Sequence, residues 1–215
     1  MNIYEKQNYY QSYLDEKNVS LDNHYEISPL ERQINFNVPW QGIVKWAEIN
    51  RDKAIFKSIE PVRPFVSDES MRQSVMAAWA GYNQHNSQEW NCGLEPEDDH
   101  ALKLMIGRDA FFDLNLDMEK CMVRLLQYDP GQILSLHTDS YNGFKDRFGD
   151  GKITRWFVAV TPWDWGHMLQ VHDNMISKYD SGYSVEIKEG VYHLSANAGI
   201  NPKYTFTITG FVREK

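Results

Sequence analysis

The stretch CMVRLLQYDPGQILSLHTD, residues 121–139, decides how this sequence is expected to fold. Residues 121–128 and 133–139 are rich in apolar side chains, which is typical of short β-strands. The tetrapeptide DPGQ between them predicts a turn, because proline presets φ and glycine tolerates a positive φ. Residues two apart in a strand point to the same face, so we expect the side chains of His137 and Asp139 to project together.

The sequence after this stretch continues in the same manner, with short apolar segments separated by turn residues. Together these segments give about seven strands between residues 121 and 215, a pattern typical of a β-sandwich or jelly roll. We predict a mainly β fold with supporting helices, whose core is a double-stranded β-helix of the jelly-roll or cupin-like type. The further predicted strands cover residues 154–161, 169–172, 184–187, 191–195 and 205–212.

The first half of the sequence shows a different pattern of apolar and turn residues. Prolines and short apolar pieces between residues 33 and 66, among them Ile43-Val44, favour short strands and turns. Apolar residues recur at helical spacing over residues 67–82, which predicts a helix. An acidic turn at residues 95–99 opens a second, short predicted helix over residues 100–105.

The length of 215 residues favours one domain with additional elements around its core. We expect residues 1–215 to form a single domain, in which residues 1–120 are a helical or mixed support and residues 121–215 are the double-stranded β-helix core.

The composition is globular, with 42% hydrophobic and 24% charged residues. The net charge of −8 comes from residues 1–120, and without a basic face a nucleic acid is disfavoured as a partner. No apolar run approaches the roughly 18 residues of a membrane span, and no signal peptide is recognisable. Two cysteines do not make a disulfide framework, so we expect a soluble, intracellular, cytoplasmic protein.

A second histidine could join the His137 and Asp139 pair in a metal site. His193 lies in an apolar segment that is predicted to be a late strand of the barrel. Two imidazoles and one carboxylate on facing strands are the ligands that non-haem Fe(II) uses, with open positions left on the metal. The lack of cysteine in this set argues against structural zinc. The alternative interpretation is that the three side chains only form hydrogen bonds.

Lys203 follows His193 closely in the sequence. Lys203 and Thr205 are two positions apart, so we expect their side chains on the same face of their strand. A cation and a hydroxyl at the mouth of a barrel can hold a carboxylate by one charge-assisted and one neutral hydrogen bond. The alternative interpretation of Lys203 is a solvated lysine at a strand end.

With these residues the sequence resembles the 2-oxoglutarate/Fe(II)-dependent oxygenases. In that superfamily an H-x-D motif is followed by a distal histidine, and then by a basic residue with a Ser or Thr two positions later. Residues 128–139 look like the prolyl 4-hydroxylase type, whereas residues 155–158 and 193–199 look more like the aspartyl/asparaginyl β-hydroxylase branch. The resemblance covers residues 121–215, and the choice between the two branches stays open.

The resemblance implies a mechanism and its cofactors. His137, Asp139 and His193 would hold Fe(II), and Lys203 with Thr205 would pair with the far carboxylate of the cosubstrate 2-oxoglutarate. With O₂ as the second substrate, the reaction would hydroxylate a C–H bond of a peptidyl residue or a small molecule and release succinate and CO₂.

Two further residues are candidate contacts to the cosubstrate. Arg155 opens an apolar strand, where a charge needs a partner, so we interpret it as a contact to 2-oxoglutarate or to a substrate carboxylate, or else as a structural ion pair. Tyr128 is either a hydrogen-bond donor to the cosubstrate or a tyrosine of the barrel wall.

Aromatic residues near the barrel rim are candidate substrate contacts. Trp163 and Trp165 are either an aromatic wall for substrate or packing residues. The Gly-rich stretch 140–151 leaves the predicted metal strand directly, so it is a candidate lid or an ordinary surface loop, with Tyr141 and Phe144 as its candidate contacts.

Other interpretations remain open on the sequence alone. A cupin-like metalloenzyme that does not use 2-oxoglutarate would need the three metal ligands but not Lys203. A non-catalytic ligand-binding barrel would need neither, and a nucleic-acid demethylase is the weakest reading because the basic surface is missing.

Overall fold

The computed structural model describes residues 32–56, 87–92, 100–139 and 141–213. The helix predicted over residues 67–82 and the acidic turn at residues 95–99 lie outside these residues. Among the described helices, none offers the length of apolar sequence that crossing a bilayer requires.

The described residues form short helices near the start and a long series of strands after them. The helices are α1 (Trp40–Ile49), α2 (Ala101–Ile106), α3 (Arg108–Asp113) and α4 (Asn142–Phe148), and Arg51–Lys53 forms a 3₁₀ turn. The strands are β1 (Gln33–Asn35), β2 (Ile55–Phe56), β3 (Gln88–Cys92), β4 (Leu116–Tyr128), β5 (Gln132–His137), β6 (Ile153–Ala159), β7 (His167–Val171), β8 (Asn174–Ile176), β9 (Tyr183–Ile187), β10 (His193–Asn197) and β11 (Lys203–Val212).

The strands form two antiparallel sheets that make the barrel. The larger sheet has the order β1-β9-β6-β11-β4-β3-β2, and the smaller sheet has the order β5-β10-β7-β8. After β4 most consecutive strands alternate between the sheets, as in a jelly roll, whereas β7 and β8 form an antiparallel hairpin within the smaller sheet. The chain is mostly β with a double-stranded β-helix core, as the sequence predicts.

The central strand β11 separates an apolar side from a polar side of the larger sheet. Tyr204, Phe206 and Ile208 belong to the apolar cluster on one side. Thr205 and Thr207 alternate with them and line a cavity on the other side. The strand thus turns a row of hydroxyl groups toward the interior of the barrel.

Two apolar clusters hold the sheets and helices together. The larger cluster packs α1, α2 and α3 against the outer side of the larger sheet, and it includes Ile43, Leu102 and Phe111. The second cluster lies between the sheets and includes Leu169 and Val185. Because the helices cover the outer side of the sheet, the inner side is left to form the cavity.

The prediction that Ile43-Val44 belongs to a short strand is wrong, because these residues lie within α1. Ile43 and Ala47 are four residues apart and both are fully buried, so one helical face meets the core. Pro39 precedes the helix, at a position where its missing N–H costs nothing. This packing outweighs the preference of the two β-branched residues for a strand. The short helix expected near residues 100–105 is present as α2.

The structure also corrects the boundaries around the H-x-D motif. β5 ends at His137, so Asp139 lies beyond the strand and not within it. The stretch 140–151 contains the helix α4, in which the rings of Phe144 and Phe148 pack with centroids 4.8 Å apart. The strand β8 was not predicted.

The predicted boundary at residue 120 falls inside the strand β4, which runs from Leu116 to Tyr128. β1, β2 and β3 come from earlier residues and extend the same sheet. The division into a support and a core stays a prediction, but one continuous sheet spans both.

Candidate metal and anion site

A cavity of about 200 Å³ opens between the two sheets. β3, β4, β6, β9 and β11 contribute lining residues from the larger sheet, and β5, β7 and β10 contribute them from the smaller sheet. Apolar lining residues such as Leu126, Phe157 and Leu169 alternate with polar ones. The charged and titratable lining residues are Glu89, Arg124, Tyr128, Asp139, Arg155 and His193.

Asp139 and His193 come together in this cavity as the sequence predicts. The Nε2 atom of His193 lies 3.2 Å from Oδ2 of Asp139. The other ring nitrogen, Nδ1, lies 3.0 Å from the carbonyl oxygen of Val191. A neutral imidazole that donates from Nδ1 carries its lone pair on Nε2. The tautomer that holds the ring in place thus leaves Nε2 suited to a metal ion.

The backbone brings the third predicted ligand close to this pair. The Cα atoms of His137 and His193 are register partners between β5 and β10. The side chain of His137 lies outside the described part of the structure, so its role as a ligand stays a prediction.

The donor set of the described atoms fits a divalent metal ion. Two ligand atoms bonded to one ion at about 2.1 Å and at right angles lie about 3.0 Å apart. The separation of 3.2 Å between Nε2 of His193 and Oδ2 of Asp139 matches this. A group of three candidate ligands is not found among the described side chains, which do not include that of His137.

Arg155 places a cation on the same carboxylate oxygen. Its Nη1 forms an ion pair with Oδ2 of Asp139, and its Nε donates to Oγ1 of Thr209 over 2.8 Å. Its guanidinium carbon lies 5.3 Å from the centre of the Tyr141 ring. The partner that a charge in this apolar strand requires is therefore Asp139.

Lys203 is buried and not solvated at a strand end, with only 1% of its surface exposed. The alternative of a solvated lysine is therefore wrong. Its ammonium donates to the carbonyl oxygen of Met168 over 2.5 Å and to Oγ of Ser195 over 2.8 Å. Within the described residues, no carboxylate forms an ion pair with it. Burial lowers the pKa of Lys203 to about 7.

The surroundings of Lys203 connect it to the cavity. The lysine itself is not a lining residue, but Ser195, Tyr128 and Phe157 are. Its Nζ lies 5.5 Å from the ring centre of Tyr128 and 5.6 Å from that of Phe157. A buried cation thus lies directly behind the cavity wall, where its field reaches an anion in the cavity.

Thr205 adds an orphaned polar atom to the same wall. Its Oγ1 is buried and has no hydrogen-bond partner among the described residues. A buried hydroxyl without a partner costs about 1–3 kcal/mol. Such a group in a cavity wall beside a buried ammonium fits a ligand that accepts a hydrogen bond.

Tyr128 is a neutral donor in this environment. It is almost fully buried, and burial raises the pKa of its hydroxyl well above the usual range, opposed by a hydrogen bond with Ser195. The position supports either interpretation made from the sequence, since Tyr128 is both a wall residue and close to Lys203.

The predicted aromatic contacts do not line the cavity. Trp163 packs against the apolar cluster between the sheets, and its ring centre lies 5.2 Å from that of Trp165, which is 79% exposed. Tyr141 donates from its hydroxyl to the carbonyl oxygen of Ile187 over 2.6 Å. Phe144 packs on the ring of Phe211.

Sequence reasoning missed several polar residues of the cavity wall. Glu89 and Arg124 lie on the neighbouring strands β3 and β4, and Ser195 lies on β10. A signal for Arg124 existed, because a charge between Val123 and Leu125 interrupts an otherwise apolar strand. No motif marks the other two.

The comparisons with known proteins concern the fold. No family model matches the sequence, and no curated protein matches it. Among solved structures, the chain is similar to a prolyl-4-hydroxylase from Pseudomonas putida, with a TM-score of 0.52 and 15% identity over 85% of this chain and 92% of that chain. It is also similar to a cupin 2 conserved barrel domain protein from Rhodopseudomonas palustris, with a TM-score of 0.40 and 9% identity over 75% of this chain and 73% of that chain. The first likeness shows a shared fold.

Proposed function

We propose that this chain is an Fe(II)- and 2-oxoglutarate-dependent dioxygenase that hydroxylates a C–H bond of a peptidyl residue or a small molecule. The observation that carries the proposal is the buried ammonium of Lys203, which has no carboxylate partner among the described residues. It lies behind the wall of the cavity that contains Asp139 and His193. A cation in this position is suited to a cosubstrate with two carboxylates.

His137, Asp139 and His193 would hold the metal ion. When bound, Fe(II) would supply the activation of O₂ and the oxidative release of succinate and CO₂ from 2-oxoglutarate. The carbonyl oxygen of Val191 keeps the ring of His193 in the ligating tautomer. Arg155 forms an ion pair with Asp139, and a metal ion bound to this carboxylate would take the place of that cation.

The remaining wall residues would bind and orient the cosubstrate. Lys203 supplies the charge, and the hydroxyl of Thr205 supplies a hydrogen bond for which it has no protein partner in the described residues. The apolar side chains of Phe157, Leu169 and Ile187 exclude water around them.

Both cysteines, Cys92 and Cys121, are buried. We propose that the protein works in a reducing compartment inside the cell, because two cysteines in the whole sequence do not make a disulfide framework.

The test is an anaerobic titration of the full chain with Fe(II) and 2-oxoglutarate, followed through the visible charge-transfer band that this pair forms. We expect the band with the wild-type chain. We expect Lys203→Met to weaken the affinity for 2-oxoglutarate at least about thirtyfold, because it removes the buried charge. Lys152→Met is the matched control, since Lys152 is exposed and does not line the cavity.

Two results would separate the other candidate functions. A chain that binds the metal ion but not 2-oxoglutarate would be a metalloenzyme that does not use this cosubstrate, and a Lys203→Met variant that keeps its full affinity for 2-oxoglutarate would contradict the role proposed for Lys203. A chain that binds neither partner would be a non-catalytic barrel, in which the ion pair between Arg155 and Asp139 is structural.

A further inference from the structure

A second pair of charges lines the same cavity and has no part in the proposed chemistry. Nε of Arg124 lies 3.4 Å from Oε1 of Glu89, and the two side chains are 33% and 3% exposed. Both residues line the cavity together with Asp139 and His193. The wall that they form belongs to the strands β3 and β4, whereas His193 belongs to β10 of the other sheet.

The register of the strands explains why these charges face inward. Glu89 pairs with Leu126, and Arg124 pairs with Asn91 on one side and Thr207 on the other. Arg124, Leu126 and Thr207 all line the cavity, so the inner face of this sheet carries the pair. The alternate residues Val123 and Leu125 are buried in the apolar cluster of the outer face.

Glu89 is almost fully buried and Arg124 is largely buried. Removing a carboxylate and a guanidinium from water is unfavourable before their attraction is counted. Nε of Arg124 makes no hydrogen bond among the described residues. A guanidinium has five donors, and one carboxylate accepts two of them at most in a fork, so Arg124 can still bind a second anion.

The other charges of the site are already assigned in the proposed function. Asp139 and His193 belong to the metal ion, and Lys203 belongs to the cosubstrate. Glu89 and Arg124 therefore remain as a negative and a positive group side by side. This arrangement is complementary to a ligand that carries an ammonium and a carboxylate on neighbouring atoms.

We propose that the pair formed by Glu89 and Arg124 binds the ammonium and carboxylate groups of a free α-amino acid, which is the substrate of the site. The inference rests on the proposed function, because it assigns the substrate of that same cavity. The cavity volume of about 200 Å³ also favours a small substrate, since the pockets that bind drug-sized ligands measure about 300–1,000 Å³. A residue inside a peptide has neutral amide groups in place of both charges, so it would offer neither Glu89 nor Arg124 a charged partner.

The test measures binding to the full chain loaded with Mn(II) and 2-oxoglutarate, followed by tryptophan fluorescence. The probes are the standard L-amino acids, and then the N-acetyl form and the amide form of the tightest binder. We expect the free amino acid to bind at least about tenfold more tightly than either blocked form, because each block removes one charge.

Two variants assign each charge to its partner. We expect Glu89→Gln to lose the preference for the free amino acid over its N-acetyl form, and Arg124→Gln to lose the preference over the amide. Glu119→Gln and Lys120→Gln are matched controls, because both residues are exposed on the same strand β4 and we expect both preferences to survive. Thermal unfolding of each variant shows that it is folded before binding is interpreted.

A titration with 2-oxoglutarate alone, done first, distinguishes a failure of the proposed function from a failure of the substrate assignment. If the wild-type chain does not bind 2-oxoglutarate, the proposed function is overturned and the substrate assignment with it. If it binds 2-oxoglutarate but no free amino acid, only the substrate assignment is overturned. A blocked peptide that binds as tightly as the amino acid would overturn the assignment in favour of a peptidyl substrate. A loss of 2-oxoglutarate affinity in Arg124→Gln would place Arg124 in the cosubstrate site and overturn it too.

Discussion

Under the proposed function, Lys203 would make cosubstrate binding dependent on pH in a defined direction. Burial lowers the pKa of Lys203 to about 7, so its charge is present below this pH and is lost above it. An anion binds to the charged form, and above neutral pH the binding step must also take up a proton.

We therefore expect the affinity for 2-oxoglutarate to be constant below about pH 7 and to fall by up to about tenfold per pH unit above it. Calorimetry in buffers of different ionisation enthalpy measures both the affinity and the proton taken up. Lys203→Arg keeps its charge at these pH values, so its profile should be flat. A flat profile in the wild-type chain would contradict this account of Lys203.

Thr205 and Thr209 provide a matched pair on one strand. Both are 1% exposed and share the inner face of β11, but the hydroxyl of Thr209 accepts a hydrogen bond from Arg155, whereas that of Thr205 has no partner among the described residues. Valine is nearly isosteric with threonine and removes only the hydroxyl.

We expect Thr205→Val to stabilise the ligand-free chain by about 1 kcal/mol and to weaken 2-oxoglutarate binding about tenfold. Thr209→Val should instead destabilise the chain, because it leaves Arg155 without an acceptor. Denaturant unfolding and a binding titration measure the two effects. A Thr205→Val variant that loses stability without losing affinity would show that its hydroxyl serves only the fold.

At the scale of elements, two turns lock the end of the barrel next to Lys203. Gly166 precedes β7 and has a φ of +89°, and a Cβ atom on it would overlap the backbone nitrogen of Gly199 after β10. Gly190 has a similar φ of +82°, but nothing lies within 4 Å of the place where its Cβ would be.

We expect Gly190→Ala to cost about 1 kcal/mol of unfolding free energy, which is the cost of the backbone conformation alone. Gly166→Ala should cost more than about 3 kcal/mol, because it adds a steric overlap that only movement of a turn can relieve. Urea unfolding of the two variants measures the difference. Equal costs would mean that the two turns are not locked together.

The strands of the barrel could be predicted from the sequence because their apolar residues are local and periodic. The same local reasoning failed for α1, where Ile43-Val44 looks like strand but packs as one face of a helix. It also failed for α4, because Gly143 gives this helix a composition that is typical of a turn. Tertiary packing decides such segments, and a single sequence does not display it.

The candidate site was predictable on the side that carries a motif. Asp139, His193, Lys203 and Thr205 share one region of the barrel, as their spacing and the resemblance indicate. The wall formed by Glu89 and Arg124 was not predictable, because Glu89 lies far earlier in the chain and only the pairing of β3 with β4 brings it to the cavity. Long-range strand pairing leaves no spacing signal in a sequence.

For the whole molecule, the buried cysteines report on global unfolding. Cys121 is fully buried, and burial raises the pKa of its thiol to about 12. It lies in β4 opposite Gly210 of β11, at the centre of the larger sheet. We expect both thiols to resist a thiol-specific reagent at neutral pH in the native chain and to react together in denaturant. Rapid labelling of Cys121 without denaturant would contradict the packing of this sheet.

The pairing of β3 with β4 has a consequence for how such a chain can change. The residues before β4 supply Glu89 to a wall whose reactive groups come from later strands. If Glu89 contacts the substrate as proposed, exchanging the segment before β4 between two related chains would replace this contact and leave the predicted metal ligands and Lys203 untouched. Substrate selectivity and chemistry would then reside in different segments of the chain and could change separately.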